Sequence, residues 1–253
     1  MFLSLWLPIF LFHCRLTDAK QITLTQQSRL RNATMDDADA ITTIFLAAFA
    51  PLPAWQYVYP FRNDFPGDHK KCYLRFIVPM LSDACAHTEV IEAPTGSNIA
   101  LIAAAIWVQK SSHEQLGVRP CPAKDELRSR LCGLDSIVLD ECMHKDMNIT
   151  RAIDYERKFN AAKKTHVDDV FGTEQLYLEQ LATHPDYQSR GAGTRLIESG
   201  LERGKRIGVN VTLIAEPTAE NFYVHRGFRE ASNISLESVD GDQSFEYNVM
   251  AYD

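Results

Sequence analysis

A short glycine-containing loop constrains what this chain can fold into more than any other feature of its sequence. The loop, Gln188 to Thr194, follows an apolar stretch typical of a buried strand and precedes a stretch with the apolar spacing of an amphipathic helix. Gly191 and Gly193 let the backbone approach a ligand closely, and the amino terminus of a helix favours an anion. The pattern therefore predicts a strand, loop and helix that together bind a phosphate group.

Two common phosphate-binding motifs do not fit this loop. A P-loop would need a lysine directly after its second glycine, and here Gly193 is followed by Thr194 and Arg195. The dinucleotide motif G-x-G-x-x-G would need a third glycine where Leu196 stands. Neither motif is present. The loop is therefore either a phosphate site of another kind or a tight structural connection between two elements.

The rest of the chain alternates between strand and helix patterns. Strands are predicted at 29–34, 87–93, 99–108, 176–182, 209–215, 228–231 and 245–252, and helices at 36–49, 68–81, 147–164, 194–207 and 219–226. The strand at 99–108 is continuously apolar, which is typical of a strand buried on both faces. Trp55, Tyr57, Tyr59 and Phe61 are predicted to form an aromatic loop that either packs in the core or lines a substrate cleft.

Three separated motifs resemble those of one enzyme family. The loop with its approach, residues 184–193, closely resembles the coenzyme A pyrophosphate loop, Q/R-x-x-G-x-G/A, of the GCN5-related N-acetyltransferase (GNAT) superfamily. Residues 222–228 resemble that family's Y-x-x-x-G-F element, and residues 29–41 are similar to its opening strand and first helix. The three occur in the family's order and cover the chain from about residue 29 to its end.

The resemblance implies an α/β (α+β) fold. Its central sheet would be mixed, mostly antiparallel and splayed between two parallel strands, with helices on both faces. Here the two parallel strands would be Leu176–Ala182 and Val209–Ala215. Acetyl-CoA, as acyl-donor co-substrate, would enter the splay, and no metal is implied.

The resemblance also implies roles for individual residues. Backbone amides of the strand before the loop would bind the pantetheine and the thioester carbonyl, the loop amides and the Arg190 side chain would bind the pyrophosphate, and Tyr223 would protonate the leaving thiolate of coenzyme A. The predicted cofactor-binding residues are Leu181, Ala182, Thr183, Gln188, Ser189, Arg190, Gly191, Ala192, Gly193 and Thr194.

The chemistry also requires a proton acceptor, because an amine is protonated at neutral pH. Residues two apart in a strand share a face, so Tyr177 and Glu179 are expected to point to the same side as Leu181. Glu179 is the candidate base, and a solvated or salt-bridged glutamate is the alternative. The chain departs from the family pattern at Glu216, where many members have a pantetheine-contacting asparagine, so that role is not assigned here.

These features predict an acetyl-CoA-dependent N-acyltransferase that moves an acetyl group to the amine of a small-molecule or peptide acceptor by direct attack on the thioester. The alternative is a non-catalytic acyl-CoA-binding regulatory module on the same fold. The net charge of −7, without a basic run, argues against nucleic-acid binding and permits a cationic acceptor. The oligomeric state stays open.

The amino-terminal residues leave the location of the protein open. Residues 1–28 form an apolar leader, either a signal or anchor or a dispensable extension, and the apolar run from Phe2 to Phe12 is too short to span a bilayer. A cytoplasmic protein is expected, or a secreted or membrane-anchored one if the leader is functional, and a membrane contact is expected only through that leader. Residues 29–253 are predicted to be a single domain with an insertion at 111–176.

Cysteines and glycosylation sequons bear on the same question. Four N-x-[ST] sequons occur, two of them, Asn32 and Asn210, in segments predicted to be buried strands. A third hypothesis is a secreted or lumenal structural protein, and only the sequons and the leader support it. The six cysteines are predicted to be buried apolar side chains, with three disulfides as the alternative.

Overall fold

The computed structural model describes residues 28–95, 97–110, 143–172 and 174–253, without the Lys110 side chain. The leader and much of the predicted insertion lie outside the described residues. The strands are β1 Arg29–Asn32, β2 Ala86–Thr95, β3 Asn98–Lys110, β4 Gln175–Thr183, β5 Asn210–Ala215, β6 Arg229–Glu237 and β7 Ser244–Tyr252. The described α-helices of five or more residues are α1 Ala38–Phe49, α2 Pro53–Val58, α3 Pro66–Ser82, α4 Ile149–Lys163, α5 Ala192–Ile207 and α6 Glu220–Val224.

All seven described strands belong to one sheet, in the order β1-β2-β3-β4-β5-β7-β6. Every neighbouring pair is antiparallel except β4 and β5, which are parallel. Strand β4 reaches β5 by way of α5, as a parallel connection requires. The predicted mixed, mostly antiparallel sheet is therefore confirmed.

Helices cover both faces of this sheet, as predicted. On one face, α5 packs Leu196 and Ile197 against Trp107 of β3. On the other face, α1 and α3 pack Phe45 and Ile77 against the sheet. A third cluster joins α2 and α4 to the β6–β7 end of the sheet. The residues from Ile102 to Val108 are buried because β3 lies between the two layers, which explains their unbroken apolar run.

Two predicted segments differ from the structure. The aromatic segment is partly helical, because Pro53 stands at the first turn of α2 with its backbone already fixed for a helix. Its residues divide between the two proposed roles, because Tyr57 is buried in the core and Trp55 and Tyr59 line the cavity described below. Phe61 is exposed and does neither. Strand β6 continues to Glu237, beyond the predicted end at residue 231, because Ile234 and Leu236 alternate with exposed residues.

The structure also contradicts predictions about one glycosylation sequon and two cysteines. Asn32 lies at the exposed end of the edge strand β1, so the prediction that this sequon is buried was wrong. Cys72 and Cys85 are both disulfide-bonded, which contradicts the prediction of free buried thiols at these two positions. Within the described residues, no helix is long and apolar enough to cross a bilayer. The division into a leader and a single domain stays a prediction.

Gly200 is required where α5 crosses β3. A Cβ placed on Gly200 would lie 2.0 Å from a ring carbon of Trp107, which is fully buried. We expect Gly200→Ala to lower the free energy of unfolding by about 1–3 kcal/mol, because an overpacked core must shift side chains or backbone. Urea denaturation followed by fluorescence measures this change.

Gly67→Ala is the matched control for that variant. Gly67 lies in the first turn of α3, has no atom within 4 Å of an added Cβ and has no positive φ. Its replacement is expected to leave the free energy of unfolding unchanged or to raise it by about 0.4–1 kcal/mol. Equal stability of the two variants would contradict the close packing of α5 on Trp107.

A second prediction concerns the disulfide-bonded Cys72 and Cys85. When protein prepared under oxidising conditions is unfolded in iodoacetamide without reductant, peptides that contain these cysteines are expected to carry no alkyl group. Prior reduction is expected to make both reactive and to lower stability by about 2–4 kcal/mol per bond. Alkylation of either residue without reduction, measured by mass spectrometry, would contradict the assignment.

Candidate functional site

The two parallel strands stay together for only four residue pairs. Gln175–Leu178 of β4 pair with Asn210–Leu213 of β5, and beyond Leu178 the two strands part. Strand β4 continues to Thr183 along β3, while the chain leaves β5 at Glu216 and turns at Pro217. A wedge therefore opens between the carboxyl ends of two adjacent strands, where ligands of open α/β sheets commonly bind.

A bulge in β4 lies at the point where the strands part. Leu178 pairs with Trp107 and Gln180 with Ile106, so Glu179 has no partner residue on β3. A bulge of one residue reverses the alternation of faces and bends the strand. Tyr177 accordingly packs on the α4 face and Leu181 on the α5 face, so the prediction that they share a side was wrong. Glu179 lines the cavity described below.

The register of β3 and β4 shows which backbone amides face the wedge. The His184 N–H donates to the Ile102 carbonyl at 2.9 Å. Hydrogen-bonded pairs alternate in an antiparallel ladder, so the Ala182 N–H points to β3 and the amides of Leu181 and Thr183 point into the wedge. Two of the three predicted pantetheine-binding amides are thus open to a ligand, whereas the Ala182 amide faces its strand partner.

The loop from Gln188 to Thr194 leads into the amino terminus of α5. Ser189 has φ +59° and Gly191 has φ +83°, both in the left-handed region, and such turns direct successive N–H groups to one side. The first helical bond that follows joins the Arg195 N–H to the Gly191 carbonyl, at 3.1 Å. Several amides at the start of α5 therefore lack an acceptor within the helix, an arrangement that binds phosphate.

Two arginines place positive charge near these amides. The Arg190 guanidinium lies 5.4 Å from the centre of the Tyr187 ring. The Arg226 guanidinium stacks 3.7 Å from the centre of the Phe222 ring and donates to the Thr194 hydroxyl. Positive charge near a helix amino terminus favours an anion such as a pyrophosphate.

A cavity of about 840 Å³ is continuous with the wedge. Within the described residues its walls come from α1 to α4, β4, β5, β7 and α6, so the cavity reaches both carboxylates that follow the parting strands, Glu179 and Glu216. Tyr223 also lines it and is 7% exposed. Burial raises the pKa of the Tyr223 phenol above its ordinary value, so this hydroxyl keeps its proton at neutral pH.

A tyrosine pair lies beside Glu216. The hydroxyls of Tyr155 and Tyr247 are 2.5 Å apart, and both side chains line the cavity. Burial is the main cause that raises the pKa of each phenol, and the nearby charge of Glu216 raises both further. Burial likewise raises the pKa of Glu216 from 4.5 to about 7. An unneutralised carboxylate is therefore held in a poorly solvated wall of the cavity.

A histidine that also lines the cavity is paired with a buried carboxylate. His69 Nδ1 lies 2.6 Å from Asp146 Oδ2, and Asp146 is fully buried. Cys72, His144 and Asp146 also offer ligand atoms within 4.8 Å of one another, as a metal site would. The Cys72 sulfur is in a disulfide, so this set does not provide a free thiolate for a metal.

The predicted site residues therefore fall into two adjacent groups. Tyr223, Glu179 and Leu181 line the cavity, and the loop residues lie at the start of α5. Thr183 connects the two groups, because its carbonyl accepts a hydrogen bond from the Gln188 side chain at 3.2 Å. Gly193 packs close to Phe222, 3.3 Å from an added Cβ, which joins the loop to α6.

Sequence reasoning missed two parts of the site. The first is the pair formed by Tyr155 and Tyr247, whose hydroxyls come from elements 92 residues apart in the chain. The second is Glu216, which the sequence marked only as a departure from the family pattern. A glutamate followed by proline directly after an apolar strand was the available signal, since ionisable groups at strand ends often line ligand sites.

Comparisons with known proteins agree with this geometry. The family model of the acetyltransferase (GNAT) domain matches residues 149–238, which contain β4, the loop, β5 and Tyr223. A protein named acetyltransferase from Stachybotrys chartarum is 22% identical over 233 residues, which cover 88% of this chain and 90% of that protein.

Solved structures share the fold at low sequence identity. A mosquito arylalkylamine N-acetyltransferase-like protein has a TM-score of 0.56 at 13% identity, over 89% of this chain and 99% of that one. The Drosophila melanogaster polyamine N-acetyltransferase has a TM-score of 0.53 at 17% identity, with the same coverage.

The family match falls on the wedge, the loop and the cavity tyrosine, and the structural likeness extends over the whole described fold. Residues 149–238 therefore match an acetyltransferase (GNAT) domain, and the described fold is that of N-acetyltransferases of known structure.

Proposed function

We propose that this acetyltransferase moves the acetyl group of acetyl-CoA to the primary amine of a small molecule with an apolar or aromatic body. The observation that carries the proposal is that one cavity joins the wedge between β4 and β5 to an aromatic wall. Its volume of about 840 Å³ is within the usual range of pockets for small ligands.

The acyl donor is expected to lie along the wedge. The Leu181 and Thr183 amides would bind the pantetheine and the thioester carbonyl, and the loop amides with Arg190 would bind the pyrophosphate. An N–H group aimed at the carbonyl also stabilises the oxyanion that forms during attack. Arg226, held on Phe222, adds a second positive charge near the start of α5.

The acceptor is expected to lie against the aromatic wall. The ring centres of Trp55 and Tyr59 are 4.4 Å apart, and the His69 ring makes a T-shaped contact with each. The other aromatic side chains that line this end are Phe49, Tyr73 and Phe76. Such a surface stabilises an apolar or aromatic group by burial and attracts an ammonium group through its ring faces.

The carboxylates of the cavity favour an amine over a neutral or acidic acceptor. Glu179 and Glu216 stand where β4 and β5 part, so an ammonium group between them would lie beside the thioester. Fold relatives named as polyamine, agmatine and arylalkylamine acetyltransferases are consistent with a small amine. The aromatic wall makes an arylalkylamine a better fit here than a polyamine.

The proposed reaction is a direct transfer. The neutral amine attacks the thioester carbon, the new C–N bond forms, the C–S bond breaks, and Tyr223 gives its proton to the thiolate of coenzyme A. Its hydroxyl is suited to this step because burial keeps it protonated at neutral pH. Glu179 remains a candidate proton acceptor on geometry, since it lines the cavity at the bulge.

The location of the protein is part of the proposal. Disulfides persist in oxidising compartments, so the disulfide-bonded Cys72 and Cys85 favour the secreted or lumenal alternative over the cytoplasm. In that setting the apolar leader would act as a signal or anchor.

An acceptor panel tests the proposed reaction. Purified protein with acetyl-CoA is expected to release coenzyme A thiol fastest with 2-phenylethylamine or tryptamine, with a kcat/KM at least about 10-fold above that for agmatine or spermidine, because burying an aromatic body contributes a few kcal/mol. A peptide with a free amino terminus serves as the bulky comparison. Preference for polyamines would contradict the role of the aromatic wall, and no turnover with any amine would favour a regulatory acyl-CoA-binding module.

Replacement of Tyr223 separates catalysis from coenzyme binding. Tyr223→Phe is expected to lower kcat by about 100-fold or more while the Kd for coenzyme A, measured by calorimetry, stays within about 2-fold. Tyr252→Phe is the control, because its ring packs on Phe228, as the Tyr223 ring does. An unchanged rate in Tyr223→Phe would contradict proton donation by this hydroxyl.

A further inference from the structure

Glu216 is the first residue beyond β5, at the edge of the wedge, and its side chain lines the cavity. We propose that the Glu216 carboxylate is the general base that takes the proton from the acceptor ammonium. This inference rests on the proposed function. It assigns a catalytic role to a position at which the sequence shows only a departure from the family pattern.

Among the described residues, the carboxylate of Glu216 lacks the partners that three other sheltered acids have. Asp37 is bonded to Arg31, Asp146 to His69, and Glu89 to the Ser199 hydroxyl at 2.7 Å. Within the residues that the structure describes, no hydrogen bond or ion pair reaches Glu216. A carboxylate with a burial penalty and no compensating partner is stabilised by any cation that enters the cavity.

The groups around Glu216 allow it to change charge near neutral pH. Tyr155 from α4 and Tyr247 from β7 lie within electrostatic range, and their raised pKa values keep both phenols neutral. Tyr223 of α6 is neutral for the same reason. The charged groups that line the same cavity include Glu179 of β4, Arg75 of α3 and Glu156 of α4. Because burial raises the pKa of Glu216 to about 7, its affinity for a proton is matched to physiological pH better than that of an ordinary glutamate.

The proton balance of the step is simple. The bound ammonium gives one proton to the Glu216 carboxylate, which passes it to solvent through the open cavity. The lone pair that is freed attacks the thioester carbon. When the C–S bond breaks, sulfur takes a proton from Tyr223, and the second proton of the former amine restores the Tyr223 hydroxyl. The products are the acetamide, coenzyme A thiol and one released proton.

Two other groups compete for this role. Glu179 lines the cavity too, but it already takes part in an interaction within the protein, unlike Glu216. His69 is bonded to Asp146 and packs against Trp55 and Tyr59, so one of its ring nitrogens is already occupied. Glu216 follows β5 at the edge of the wedge in which the thioester is proposed to lie.

The test compares Glu216→Gln, Glu179→Gln and His69→Gln with the wild type, in acetyl-CoA turnover of 2-phenylethylamine across pH 5.5–9. A base acts when deprotonated, so wild-type kcat/KM is expected to rise with pH through about 7. In Glu216→Gln we expect kcat to fall at least about 100-fold and the rise near pH 7 to disappear. The Kd for coenzyme A, measured by calorimetry, is expected to stay within about 2-fold.

Glu246→Gln, on the exposed face of β7 next to Tyr247, is the matched control for the isosteric change and is expected to keep the wild-type profile. If Glu216→Gln keeps the rise near pH 7, or if only Glu179→Gln or His69→Gln removes it, the assignment to Glu216 is overturned while the proposed function stands. If the wild type releases no thiol with any amine, the proposed function fails and this inference fails with it.

Discussion

The separation of β4 and β5 is the constraint on which the site depends. Four parallel pairs hold the two strands together, and then the bulge at Glu179 and the turn at Pro217 send them apart. Backbone amides that a continuous sheet would have paired are thereby left open to a ligand. The loop after β4 and Tyr223 after β5 lie on either side of the same opening, because each follows one of the two diverging strands.

The opening between β4 and β5 has two regions of different charge. At the start of α5, helix amides and the guanidinium groups of Arg190 and Arg226 make a positive region suited to a pyrophosphate. In the cavity, Glu179 and Glu216 among neutral tyrosines make a region suited to a cation. A co-substrate with a highly charged end and a neutral thioester fits the first region, and an ammonium acceptor fits the second, so the two would meet where β4 and β5 part.

The elements that local sequence patterns determine could be predicted. The features that depend on contacts between residues far apart in the chain could not. The loop, α5 and the buried β3 could be predicted because glycine spacing and apolar periodicity report them directly. The shared side of Tyr177 and Leu181 was wrong because a bulge breaks the alternation on which that argument depends. Glu216 could not be assigned because α4 and β7, far away in the chain, supply the tyrosines that shelter it.

A crystal structure of the protein with coenzyme A and an unreactive acceptor analogue tests the central claim most directly. We expect the pyrophosphate on the amides at the start of α5, the pantetheine between β4 and β5 on the Leu181 and Thr183 amides, and the sulfur within hydrogen-bond distance of the Tyr223 hydroxyl. The nitrogen of the analogue is expected beside Glu216. Coenzyme A bound outside the wedge, or a wedge closed by further pairing of β4 with β5, would contradict the account.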